Sequence, residues 1–159
     1  MREGSVDESA VLEAILEKVS AALEAEPDVA FAYLFGSLAK GRAGPASDVD
    51  VAILLRGDGG EQERADAADR ALEIEGRLER ALERPTQVIA LNAAPMDLTH
   101  NVLAHGLVAF SRDEPARQRF YVNHARRYYD HAHARAIFDR YRARRIREGT
   151  FGGGASDGT

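Results

Sequence analysis

The chain has 159 residues, no cysteine and a formal net charge of −5. That length suits one domain with a genuine buried core, and the absence of cysteine excludes a disulfide framework and any thiolate metal site. No apolar run is long enough to span a membrane, and the acidic start from Met1 to Ser9 is unlike a secretion signal, so a cytoplasmic location is expected. Charge is unevenly spread: residues 112–147 hold 11 arginines against four acids, a net +7, which leaves −12 on the rest. That pattern suggests a basic C-terminal element on an acidic body, able to meet nucleic acid, an acidic partner or the body itself.

In chain order, Val11, Leu12, Ile15, Leu16, Val19, Ala22 and Leu23 recur at helical spacing, with Ser9 or Asp7 as the expected cap and Pro27 beyond the end. Val29 to Phe35 reads as a buried strand, Leu38 to Gly41 as one helical turn, and Gly44-Pro45 as part of a loop. Asp48 to Leu55 reads as a second strand, closed by the turn residues 56–60. Gln62 to Leu82 predicts a helix whose buried face holds Ala68, Ala71, Leu72, Leu78, Ala81 and Leu82, stopped by Pro85. Thr86 to Leu91 predicts a third strand, and Asp97 to His105 a short helix that Gly106 ends in the left-handed conformation. Leu107 to Ser111 reads as an edge strand, and Glu114 to Arg147 as a long helix or helix pair.

These elements predict an α/β (α+β) fold: a small mixed sheet with helices packed on one face and a long C-terminal helical region. The first two strands are joined too closely for a crossover helix, so they are expected to pair antiparallel. Residues 1–147 read as a single domain, with its core at 29–111 and its C-terminal region at 114–147. The Gly/Ser-rich stretch 149–159 reads as a disordered tail.

Residues 36–50 carry the chemistry. Gly36 and Ser37 end one apolar run, ten residues follow, and Asp48 and Asp50 open the next. Alternation along a strand points both carboxylates the same way, about 7 Å apart, which suits a hard divalent cation such as Mg²⁺. The Gly-Ser turn beside them offers backbone N–H groups and a hydroxyl to a phosphate.

This constellation resembles the minimal nucleotidyltransferases of the DNA polymerase β superfamily, and most closely the antitoxins that pair with HEPN-domain toxins. Their Gly-Ser-X10-Asp-X-Asp signature is met by Gly36, Ser37, Asp48 and Asp50. The likeness continues through Val88 to Asn92 and Leu98 to Gly106, and covers roughly residues 29–130. It implies Mg²⁺ as cofactor, held by Asp48 and Asp50 as catalytic metal ligands, and ATP as substrate, with its outer phosphates held by Gly36 and Ser37. Lys40 and Arg42 would either neutralise phosphate charge or belong to a solvated loop, and Ser47 would either fix the first carboxylate or serve only the turn. It also implies a hetero-oligomer with a HEPN toxin, silenced by AMP transfer to a tyrosine hydroxyl.

The resemblance further implies a third carboxylate on the strand after the long helix, and here that position falls on Gln87. Glutamine offers a neutral carbonyl oxygen to a metal but is no base at physiological pH. Three outcomes stay open: a weakened site, a substitute acid such as Glu83 or Asp97, or a shifted register. Accordingly the leading expectation is an adenylyltransferase antitoxin. The alternatives are a module of the same fold that neutralises its partner by binding alone, and a nucleotidyl-transfer subunit of a small-molecule modifying enzyme. Arg126 and His131 match the Arg-X4-His motif of HEPN toxins, but one helical region cannot supply the bundle that motif needs. The five histidines show no metal-ligand spacing. The arginines and tyrosines of the C-terminal region favour protein contact over nucleic acid.

Overall fold

The computed structural model describes residues 3–41, 47–57 and 60–147. The expected loop at Gly44-Pro45 and the expected tail at 149–159 lie outside these residues. The elements are α1 (Glu3–Glu24), β1 (Val29–Phe35), α2 (Gly36–Ala39), β2 (Val49–Leu55), α3 (Glu61–Leu82), β3 (Thr86–Ala90), α4 (Met96–His105), β4 (Leu107–Ser111) and α5 (Glu114–Arg147). Residues up to Tyr121 form one compact unit, and those from Val122 onward a second.

In the first unit the sheet order is β3-β2-β1-β4. β1 pairs antiparallel with both β2 and β4, whereas β2 and β3 are parallel, with α3 as the crossover such a pair requires. β1 is apolar throughout because both its faces are covered. Val29, Ala32 and Leu34 pack with Val49, Val51 and Ile53 beneath α1 and α3, which contribute Val19, Leu23, Ala71, Ile74 and Leu78. On the other face Phe31, Tyr33, Ala52 and Leu91 pack with Val102 and Leu103 of α4, and Phe120 of α5 closes over Phe31 at a ring separation of 5.5 Å. Helices therefore cover both faces of the sheet rather than one. A bulge at Ala30, between the pairs Val29–Leu55 and Phe31–Leu54, lets Ala30 and Phe31 share that second face.

Several local expectations are corrected. α1 starts at Glu3, so Ser9 and Asp7 lie within the helix rather than capping it. The buried stripe of α3 is Ala67, Ala71, Ile74, Leu78 and Leu82, spaced 4, 3, 4 and 4. Ala68 and Ala81 face solvent, and Leu72 is 64% exposed. α3 ends through Glu83 in the left-handed region (φ 54°), its N–H donating to the Glu79 carbonyl at 2.9 Å, two residues before Pro85. Gly106 is extended (φ −76°) instead of left-handed. Its glycine answers a steric need: a Cβ there would lie 2.4 Å from the Val102 carbonyl oxygen and 3.0 Å from that of Leu34.

Two polar ties, each spanning the chain, hold the frame. The Arg112 guanidinium donates to the carbonyls of Leu23 (3.2 Å), Glu24 (3.0 Å) and Val29 (3.2 Å), satisfying the end of α1 and the entry to β1. Asn92 donates to the Leu55 carbonyl at 2.8 Å and accepts from the Leu55 N–H at 2.9 Å, fastening the end of β2. Among the described residues no helix is long and apolar enough to cross a membrane.

Candidate functional site

The opposite end of β2 carries the predicted chemistry. β1 ends at Phe35, and the chain turns at Gly36 with φ +74° into the short α2, where the Lys40 N–H returns to the Gly36 carbonyl at 3.3 Å. β2 brings Asp50 level with Phe35 on one side and Gln87 of β3 on the other. Cross-strand partners project from the same face, so Phe35, Asp50 and Gln87 form a row across the sheet. That face is the one covered further along by α4, since Ala52 packs there.

Gly36 is fixed by Asp50. A Cβ on Gly36 would lie 2.3 Å from Oδ2 of Asp50, so only glycine lets the carboxylate rest against the turn. Burial, reinforced by the negative charge of Asp48, pushes the Asp50 carboxyl above its ordinary value. A half-buried carboxylate next to a second acid is held at a cost that a bound cation relieves. Among the described residues no group of three or more His, Cys, Asp or Glu is placed to hold a metal, so Asp48 and Asp50 are a pair. Such a pair fits Mg²⁺ that takes its other ligands from substrate phosphates and water.

The other expected residues are placed as follows. Asp48 is exposed immediately before β2, and Ser47 beside it is half-buried. Ser37 is exposed on α2, and Lys40 is exposed at its end. Arg42 lies outside the described residues. Gln87 is exposed while its neighbours Thr86 and Val88 turn inward, and it lies level with Asp50 in the strand register. One contact had no signal in the sequence: Glu75 of α3 accepts the Val88 N–H at 2.9 Å, so the free edge of β3 is tied down next to Gln87.

The role of Gly36 yields a prediction that separates binding from folding. Gly36→Ala imposes left-handed backbone on an L-residue, costing about 1–2 kcal/mol. The clashing partner is the tip of a side chain, so the carboxylate rotates away and the fold survives. Mn²⁺ affinity, measured by titration with ATP present, should therefore fall at least tenfold, with thermal melting lowered by only a few degrees.

A sequence profile of the family described as "Polymerase beta, Nucleotidyltransferase" matches residues 17–115. No curated protein shows significant sequence similarity to the chain. Solved structures share its fold. A toxin–antitoxin with AMP-PNP is 24% identical with a TM-score of 0.59, the match covering 79% of this chain and 97% of that one. A complex of a tri-AMPylated HEPN toxin of Shewanella oneidensis with an MNT antitoxin is 22% identical with a TM-score of 0.57, covering 82% and 98%. The toxin–antitoxin MntA-HepT is 22% identical with a TM-score of 0.56, covering 81% and 97%.

Proposed function

The chain belongs to the polymerase β nucleotidyltransferase family, and from that premise we propose that it is an antitoxin that transfers AMP from ATP to a hydroxyl of a HEPN-type partner protein. The observation that carries this reading is the seating of Asp50 against the Gly36 turn, with Asp48 beside it. The fold neighbours support the choice of partner and nucleotide, since they include a tri-AMPylated HEPN toxin with its antitoxin and a toxin–antitoxin with AMP-PNP.

In this reading Gly36 and Ser37 bind the outer phosphates through backbone N–H groups and a hydroxyl, and Lys40 and Arg42 balance their charge. Ser47, next to Asp48, helps to fix its carboxylate. Asp48 and Asp50 would hold Mg²⁺, which when bound supplies the positive charge that draws electrons from the α-phosphate. The acceptor oxygen bonds to the α-phosphorus as the bond to the β-phosphate oxygen breaks. Pyrophosphate leaves, and the hydroxyl proton passes to water or to the leaving group. Gln87 orients the acceptor or a water by hydrogen bonding and takes no proton.

That last point favours one further reading, in which the same fold neutralises its partner by binding alone. Co-expression with a HEPN-type protein encoded beside this chain, followed by intact-mass measurement of both, decides between them. An AMP-sized increment on the partner, lowered about a hundredfold or more in rate by Asp48→Ala, is the expected result. A stable complex with no increment overturns transfer in favour of the binding module.

A further inference from the structure

We propose that residues 134–145 of α5 are a docking element that inserts into an apolar groove of the partner protein, a groove rimmed by acidic side chains. The partner's identity rests on the reading above; the element itself rests on the helix.

In the second unit every side chain from Tyr129 to Arg145 is exposed. Four of them, Ala134, Ile137, Phe138 and Tyr141, stand at i, i+3, i+4 and i+7, one stripe on one face of the helix. Ile137, Phe138 and Tyr141 are each more than half exposed, at 53%, 58% and 56%. A stripe of that spacing is how an amphipathic helix anchors in a groove. Large apolar side chains left bare on a helix are a mark of an interaction surface.

Charge selects the occupant. Residues 122–147 hold eight arginines against two aspartates. Two of the arginines, Arg144 and Arg145, follow the stripe one turn on, at the same angular position about the axis. The Arg142 guanidinium lies 5.9 Å from the Phe138 ring centre and that of Arg145 5.7 Å from Tyr141, so cations flank the aromatic surface. A second copy docking face to face would bring like charges together, which disfavours self-pairing. RNA would want a ring for each successive base, whereas half of the stripe, Ala134 and Ile137, has neither a ring to stack nor a charge to offer. An acidic-rimmed apolar groove satisfies both parts of the element.

The test uses the full chain and the co-expressed HEPN-type protein, with affinity measured by calorimetry. Ile137→Asp with Phe138→Asp should weaken binding at least tenfold, and Arg144→Glu with Arg145→Glu should weaken it several-fold and flatten its salt dependence. All lie on exposed helix, and circular dichroism with thermal melting verifies that the first unit is unchanged. Wild-type binding that both double variants retain within twofold overturns the docking element and leaves the proposed function standing. No binding by the wild type overturns both. A structured RNA bound by the wild type and by Ile137→Asp with Phe138→Asp, but not by the arginine variant, also overturns it.

Discussion

Gln87→Asp should raise the rate of Mg²⁺-dependent AMP transfer about a hundredfold, the lower range of what a positioned acid–base group supplies. Parallel pairing places residue 87 level with Asp50 on the same face, so the new carboxylate joins the Asp48–Asp50 pair directly. It brings what the amide lacks: a negative charge for a cation and a base for the acceptor hydroxyl. The same change has a cost in the metal-free protein. A third acid beside an Asp50 already pushed upward by burial and by Asp48 adds like-charge repulsion, destabilising by about 1 kcal/mol. Melting of the variant should therefore start a few degrees lower than wild type and be restored by Mg²⁺ with a nucleotide. A variant with unchanged transfer and no metal-dependent recovery would show that residue 87 is not the vacant ligand position.

The row Phe35–Asp50–Gln87 also marks how far the amino-acid sequence could be read. β1 was legible to the residue because seven consecutive apolar side chains, covered on both faces, leave no other reading. Glycine spacing named the turn at Gly36, but only the fold reveals that a carboxylate 14 residues later occupies the space of its missing side chain. The stripe of α3 is only half legible: Ala71, Leu78 and Leu82 lie on it, but alanine on a charged helix is uninformative, and Leu72, the obvious anchor, lies bare. Coverage of the second face by α4 was hidden for a similar reason: a ten-residue helix anchored by Val102 and Leu103 has too few apolar residues to announce which face it meets. Least legible were the long-range polar ties, Glu75 to Val88, Arg112 to α1 and Arg70 to Glu26, since the chemistry of each partner is ordinary until the fold brings them together.

The last of these ties carries the largest expected effect on stability. Glu26, 5% exposed at the turn between α1 and β1, accepts from Arg70 at 2.5 Å and from Arg77, both on α3. Arg70 is held in turn by Asp28 at 2.8 Å and Glu73 at 3.0 Å. Burial works to raise the Glu26 carboxyl, but the hydrogen bonds from Arg77 and Arg70 together outweigh it and hold the group below its ordinary value. Asp28 is also lowered, chiefly by its hydrogen bond from Arg70. A carboxylate with a lowered folded-state pKa adds stability above its unfolded value, near 4.5 for glutamate, and loses it as pH falls through the folded value. Glu26→Ala leaves Arg70 with Asp28 and Glu73 to retain it, and Arg77, half exposed, turned to solvent. The expected loss is about 2 kcal/mol at neutral pH, within the range for hydrogen bonds to a charged group. Urea unfolding should show that gap between wild type and variant narrowing below pH 4.5, as protonation removes the charge the variant already lacks. A gap unchanged by acid would mean that packing at the turn, and not the ion pairs to α3, is what Glu26 provides.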